Sequence, residues 1–223
     1  STTYQATRPR STTLRHLTLG WVAGVVLLRA STWPWPPGTS VALGVSANAL
    51  TASSLLFGAA AGLAVAFGRF GMATLFGLLA ALVDTLDGQV ARATGTTSTA
   101  GKLFDATADR YVEAALFVGM VFYVRASAPL LLLTLAALIA SFLVSYVSAK
   151  IEAYPNVSVP RGAMRRGERL VLLTLGTGLV PAVARLFPST ASLVPLIVAL
   201  AIIAVAGNFS AVRRLLHLAR SAP

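Results

Sequence analysis

A chain of 223 residues that is 56% hydrophobic and only 11% charged, with a mean hydropathy of +0.77, is not a soluble globular domain, which would carry about 25% charged residues. Its net charge of +11 comes from 16 Arg and two Lys against seven acidic residues, spread over the segments that flank apolar runs. That distribution suits membrane orientation and anionic lipid better than nucleic acid, and the lack of cysteine excludes disulfides and thiolate chemistry.

Residues 1–13 are polar and predict a mobile tail without the layout of a signal peptide. Residues 14–47 predict an N-terminal interfacial helix and a linker. The segment 14–30, "LRHLTLGWVAGVVLLRA", is short for a span, and Trp21, Arg15 and Arg29 suit a helix lying in the interface, with an extra span as the alternative. Trp33 and Trp35 then serve as interfacial anchors. Residues 48–223 form one domain with six predicted spans, at 48–68, 70–92, 102–124, 128–152, 167–187 and 190–210, each near the length that crosses a bilayer. "GRFG", "RASAP" and "RLFPST" separate them as tight connections, and Ser46 and Asn48 are candidate caps for the first. The fold class is therefore all-α, a polytopic membrane helix bundle of about six transmembrane helices.

With both ends on one side, that side collects Arg8, Arg10, Arg15, Arg29, Arg92, Lys102, Lys150, Arg161, Arg165, Arg166, Arg169, Arg213, Arg214 and Arg220. Only Arg69, Arg125 and Arg185 fall opposite, and Arg110 lies inside a span. The positive-inside rule places the heavily charged side in the cytoplasm, of a prokaryotic inner membrane.

On that side the stretch "DTLDGQVARATGTTSTAGKLFDATADR", residues 84–110, holds four of the seven acids. Asp84 and Asp87 stand three apart near the end of the second span, with Gly88, Ala91 and Arg92 continuing the face. Asp105 and Asp109 stand four apart at the start of the third, with Gly101 one turn earlier. The two spans are expected to be antiparallel neighbours whose acidic faces meet. Carboxylates packed together demand protonation or a counter-charge. Hard divalent cations, Mg²⁺ or Mn²⁺ and room for two, are the natural one, and Mg²⁺ also bridges substrate phosphates. Paired acids at helix ends often only answer the macrodipole or a surface arginine. Four at one membrane surface with interleaved glycines go beyond that. Small walls and the fork of Arg92 suit a bound diphosphate.

These residues resemble, position for position, the signature D-x2-D-G-x2-A-R-x8-G-x3-D-x3-D of the CDP-alcohol phosphotransferase family, at Asp84, Asp87, Gly88, Ala91, Arg92, Gly101, Asp105 and Asp109. The resemblance implies an enzyme that transfers a substituted phosphate from a CDP-linked lipid, commonly CDP-diacylglycerol, to a polar alcohol with release of CMP. It implies metal ligands at Asp84, Asp87, Asp105 and Asp109, with Asp109 also the general base. Asp84, Gly88, Ala91, Arg92, Gly101 and Asp105 would line the CDP pocket, and a homodimer is common in the family. Glu113, one turn beyond Asp109, would receive acceptor hydroxyls or orient a site residue, or simply be paired inside the bundle.

A second likeness lies in "SYVSAKIEA" and "MRRGERL", which are similar to segments of phosphatidylinositol-phosphate synthases. Lys150, Arg161, Arg165, Arg166 and Arg169 gather around one loop and suit a phosphorylated acceptor, which the likeness implies is inositol phosphate, although plain positive-inside topology also accounts for such a cluster. Lys150 stands where the pattern has Arg, Arg165 replaces an acid and Gly167 replaces Pro. Glycerol 3-phosphate is the alternative acceptor. A cation- or proton-coupled transporter, the alternative of another class, would carry its acids near the bilayer midplane.

Overall fold

The computed structural model describes residues 46–93, 95, 97–153, 163–187 and 190–221. The predicted tail, the interfacial segment 14–30 and Arg161 lie outside them. The regular structure is entirely helical: α1 (Ala47–Ala66), α2 (Phe70–Ala93), α3 (Thr99–Val124), α4 (Ala128–Glu152), α5 (Arg166–Leu186), a 3₁₀ turn (Thr190–Leu193) and α6 (Val194–Ser221).

Local chemistry sets these limits. Ser46 caps α1 by accepting from the Ala49 N–H at 3.3 Å, and Ser98 caps α3 by accepting from the Gly101 N–H at 3.0 Å, each satisfying a donor that a helix start leaves free. Gly95, with φ +66°, ends the turn of chain after α2 in the left-handed region that glycine tolerates. Pro129 sits in the first turn of α4, where its missing N–H costs nothing.

Five helices are long and apolar enough to cross a membrane, over Asn48–Ala66, Phe70–Arg92, Ala128–Glu152, Arg166–Leu186 and Val194–Arg220. The chain is an integral membrane protein by this criterion. Helix α3, with 26 residues, is about 39 Å long. It is not among these five because Lys102, Asp105, Asp109, Arg110 and Glu113 fall within its first 15 residues. The last predicted span ends at 210, but α6 starts at Val194 and runs to Ser221. Hydropathy stops at Arg213 and Arg214, whereas the backbone ladder continues, with Ala211 and Arg214 still buried.

Helix α1 packs against both α2 and α3, while α2 and α3 do not pack closely on one another. The expected neighbours are thus wedged apart by α1, and Asp84 of α2 meets Asp105 and Asp109 of α3 across the gap. Close approach of α1 to α3 rests on small residues: a Cβ on Gly62 would strike the Ala115 carbonyl, one on Gly119 would strike the Gly62 carbonyl, and one on Gly58 would lie 2.7 Å from Val112 Cγ2. Lipid gives no hydrophobic drive between helices, so such backbone proximity supplies the packing energy. The second half of the bundle joins α6 to α4 and α5. The halves meet where α5 packs on α2, with the Thr74 hydroxyl 3.3 Å from that of Thr177, and where α3 packs on α4. Val65, Phe117, Met120, Leu173 and Ile203 fill the centre.

Gly119→Ala is expected to lower the thermal midpoint in detergent by an amount corresponding to about 1–3 kcal/mol, the usual cost of overpacking. Gly77→Ala, where an added Cβ meets nothing within 4 Å, should leave it unchanged or raise it.

Candidate active site

Alternating helix directions bring the end of α2, the start of α3, the start of α5 and the ends of α4 and α6 to one end of the bundle. The i, i+4 spacing on α3 aims Asp105 and Asp109 along one stripe, facing Asp84 of α2 across the gap that α1 holds open. One carboxylate oxygen each from Asp84, Asp105 and Asp109 lies within 4.8 Å of the others. Asp109 is 7% exposed, so this is not a solvated acidic surface.

Asp87 is turned toward α1. It is 4% exposed, and its Oδ2 accepts a 2.6 Å hydrogen bond from the Thr51 hydroxyl. Thr51 is a site neighbour that sequence spacing did not reveal, because a contact between residues 36 apart leaves no local period.

The counter-charge comes from α5. Arg166 Nη1 lies 3.3 Å from Asp84 Oδ2, and Arg166 Nη2 pairs with Asp109 Oδ1. Arg110 Nη1 stands 3.8 Å from Asp109 Oδ2 but donates to the Ala106 carbonyl of its own helix at 2.9 Å. Of the predicted basic cluster, Arg166 therefore reaches the acids directly.

Arg169, expected to read the acceptor phosphate, and Glu113, expected to receive acceptor hydroxyls, orient a site residue or pair inside the bundle, are joined to each other. Arg169 Nε and Nη2 reach Glu113 Oε1 and Oε2 at 2.8 and 2.9 Å. The two residues are 1% and 2% exposed, so neither presents a face to a ligand. Lys150 is exposed at the end of α4, its Nζ 5.6 Å over the Tyr146 ring, and Arg165 is exposed at the N-cap of α5.

Arg214, not singled out from sequence, is 8% exposed and donates to Ser148 Oγ at 2.6 Å and to the Ala163 carbonyl at 3.0 Å. Its Nε has no partner, and among the described residues it has no carboxylate within ion-pair distance. A charge count that treats every loop arginine alike could not separate it from Arg213.

Toward the loop, Arg92 folds back over Gly88, where a Cβ would lie 3.4 Å from Arg92 Nη1. Ala91 is half-buried on the same helix, and Gly101 stands in the first turn of α3. The oxygen-only donor set, with no His or Cys in it, fits a hard divalent cation. Ligand oxygens around Mg²⁺ are at most about 4.2 Å apart, so small side-chain adjustments would close this set on one ion.

An all-helical membrane bundle with a carboxylate site at one end and arginines beside it defines a membrane-embedded protein whose oxygen donors suit a divalent metal. The model of the CDP-alcohol phosphatidyltransferase family matches residues 44–209, and the chain belongs to that family.

It is 36% identical over 129 residues to the phosphatidylinositol phosphate synthase of Mycobacteroides abscessus, covering 54% of this chain and 58% of that one. It is 30% identical over 141 residues to the archaetidylinositol phosphate synthase of Pyrococcus horikoshii, covering 62% and 72%. The chain spans about half the length of most of the curated synthases it matches.

Among solved structures, the phosphatidylinositol phosphate synthase of Mycobacterium tuberculosis superposes in two states. Its complex with manganese and citrate gives a TM-score of 0.70 at 27% identity, covering 82% of this chain and 86% of that one. Its form with CDP-DAG bound gives 0.70 at 25%, covering 91% and 94%.

Thr51→Val removes the hydroxyl partner of a buried carboxylate without changing volume much. It is expected to destabilise the protein by about 1–3 kcal/mol, read as a lower thermal midpoint. Thr107→Val, which removes only a bond from an exposed side chain to its own helix, should cost less.

Proposed function

We propose that this chain is a metal-dependent phosphatidyltransferase that moves the phosphatidyl group of CDP-diacylglycerol onto a phosphorylated alcohol, inositol phosphate, and releases CMP. The observation that carries the reading is the three-carboxylate set of Asp84, Asp105 and Asp109 with Arg166 seated against it. The relatives named above and the CDP-DAG and manganese complexes of the Mycobacterium tuberculosis enzyme support it.

In this reading Asp84, Asp105 and Asp109, with Asp87 completing the set, hold divalent cations, Mg²⁺ or Mn²⁺ and two of them. Bound there, such ions neutralise the diphosphate and stabilise the departing phosphate of CMP. Gly88, Ala91, Arg92 and Gly101 form the wall for the cytidine diphosphate: the glycines admit it close to backbone, and the fork of Arg92 reads a phosphate oxygen.

Asp109 takes the proton of the acceptor hydroxyl as that oxygen bonds to the lipid-linked phosphorus and the bond from phosphorus to the CMP oxygen breaks. Arg166, which already meets Asp109, brings the acceptor phosphate beside this base. Lys150 and Arg165 extend the basic surface toward water, Arg161 completes the proposed basic cluster in sequence only, and Arg214 adds a largely buried guanidinium. Arg169 and Glu113 are not acceptor contacts here, because they satisfy each other.

The bilayer holds the acyl chains while the soluble acceptor arrives from the aqueous side. We take that side to be the cytoplasm of a prokaryotic inner membrane, because Arg92, Lys102, Lys150, Arg165, Arg166, Arg169, Arg213, Arg214 and Arg220 gather there, against Arg69, Arg125 and Arg185 opposite. A homodimer within the membrane is the assembly we expect. Glycerol 3-phosphate stays the alternative acceptor, since it offers the same charge. A site at one end of the bundle does not suit a transporter.

Purified protein with CDP-diacylglycerol and Mg²⁺ should release CMP with inositol phosphate and not with free inositol or serine. Release with glycerol 3-phosphate alone would keep the chemistry and replace the acceptor. Chelation should abolish turnover, and Mg²⁺ or Mn²⁺ should restore it. Asp109→Asn should lose turnover by at least about a hundredfold, the usual worth of a general base, while still binding CDP-diacylglycerol. Near-normal turnover in that variant would refute its role as base.

A further inference from the structure

Helices α3 and α5 do not pack closely, yet two residues of each are tied across the gap in register. Asp109 pairs with Arg166, and one turn further along both helices Glu113 pairs with Arg169. The outer pair faces the site and is partly solvated, with the Arg166 side chain 26% exposed. The inner pair is sealed, bidentate and charge-assisted, the geometry that fixes one guanidinium orientation.

Arg169 does more than pair. Its Nη1 donates to the Met164 carbonyl at 2.8 Å, and Nη2 also reaches Ser145 Oγ of α4 at 3.1 Å. Met164 has φ 63°, a left-handed backbone that an unbranched apolar residue rarely adopts. Its N–H donates to Glu168 Oε2 at 2.6 Å. The strained residue two positions before Arg166 is thus pinned at both its N–H and its carbonyl, from the next turn of α5. Such strain persists only where surrounding contacts over-determine it.

We propose that Glu113 and Arg169 are positioning residues: the buried pair clamps the Met164 turn and so delivers the Arg166 guanidinium between Asp84 and Asp109. Part of the consequence rests on the function proposed above, because Arg166 is there the link to the acceptor phosphate. The geometry itself does not depend on it. Lysine at 169 keeps the charge but not the planar fork. One ammonium cannot reproduce four directed contacts to Glu113, Met164 and Ser145, so Arg169→Lys loosens the turn while leaving the buried charge paired.

The test uses the full chain in nanodiscs. It has no cysteine, so Gly167→Cys, where an added Cβ meets nothing within 4 Å, and Leu103→Cys, on the exposed face of α3, accept a pair of spin labels. The clamp predicts a narrow distance distribution in the parent and a broader one in Arg169→Lys, with little change in thermal midpoint. Unlabelled Arg169→Lys should show an acceptor KM raised about tenfold or more with the KM for CDP-diacylglycerol nearly unchanged, a split that marks lost acceptor placement rather than general damage.

An unchanged distribution together with unchanged KM values would overturn the proposal, as would an equal rise in both KM values. Should the parent turn over no acceptor, the proposed function fails, and the distance distributions alone decide the clamp. If Arg169→Lys does not fold, Glu113→Asp, which shortens the carboxylate but leaves the buried charge paired, is measured in its place, with the same expectations and the same refuting results.

Discussion

Repulsion among Asp84, Asp105 and Asp109 is the constraint around which this end of the bundle is arranged. At the 4.8 Å limit of their oxygen separation, each ionised pair repels by about 3.5 kcal/mol at an effective dielectric near 20. Helix dipoles do not offset this. Asp84 lies more than two turns before the C-terminal end of α2, and Asp105 and Asp109 lie beyond the first turn of α3, so the effect of either dipole has decayed at all three. Positive charge has to be brought to the cluster, and Arg166 brings one guanidinium to it. A divalent cation would answer the same need more fully, which is the electrostatic basis of the metal site proposed above.

Holding such a cluster requires helices that approach without closing. Helix α1 provides this by packing through Gly58 and Gly62 against α3 and along α2, so that the acidic faces converge across a gap. The Thr51 hydroxyl on α1 fixes Asp87 at the edge of that gap. Helix α5 is held on the far side by α2 and α6 and reaches α3 through long side chains. The amphiphilic donor proposed above would suit such an arrangement, with polar chemistry at one end of the bundle and Leu56, Leu63 and Val205 exposed on the apolar faces of α1 and α6.

What the sequence disclosed and what it concealed follow from range. Helix positions rest on hydropathy runs and caps, both local, so Ser46 and five of the six predicted spans were readable within a few residues. The last span ran past its prediction because hydrogen bonding, not hydropathy, ends a helix. The acidic motif was readable because the i, i+3 and i, i+4 spacings on two consecutive helices carry it. Partnerships were not. Nothing local ties Thr51 to Asp87, distinguishes the sealed Arg169 from the site-facing Arg166 three residues earlier, or marks Arg214 as buried. Glu113 had been left between an acceptor contact, an acid that orients a site residue and one simply paired inside the bundle, and what the structure adds is its bidentate contact with Arg169. Such a pair is sensitive to loss of one member, since stranding a buried charge costs about 3–5 kcal/mol.

In the function proposed here, the carboxylate set holds metal against the diphosphate of a lipid-linked nucleotide. Electron-nuclear double resonance of the full chain in nanodiscs, loaded with Mn²⁺ and then with CDP-diacylglycerol, tests this at the metal itself. Bound Mn²⁺ should gain a ³¹P hyperfine coupling when the lipid is added, and both should be lost in Asp105→Asn. Mn²⁺ that binds without phosphorus coupling, or that binds equally in Asp105→Asn, would contradict it.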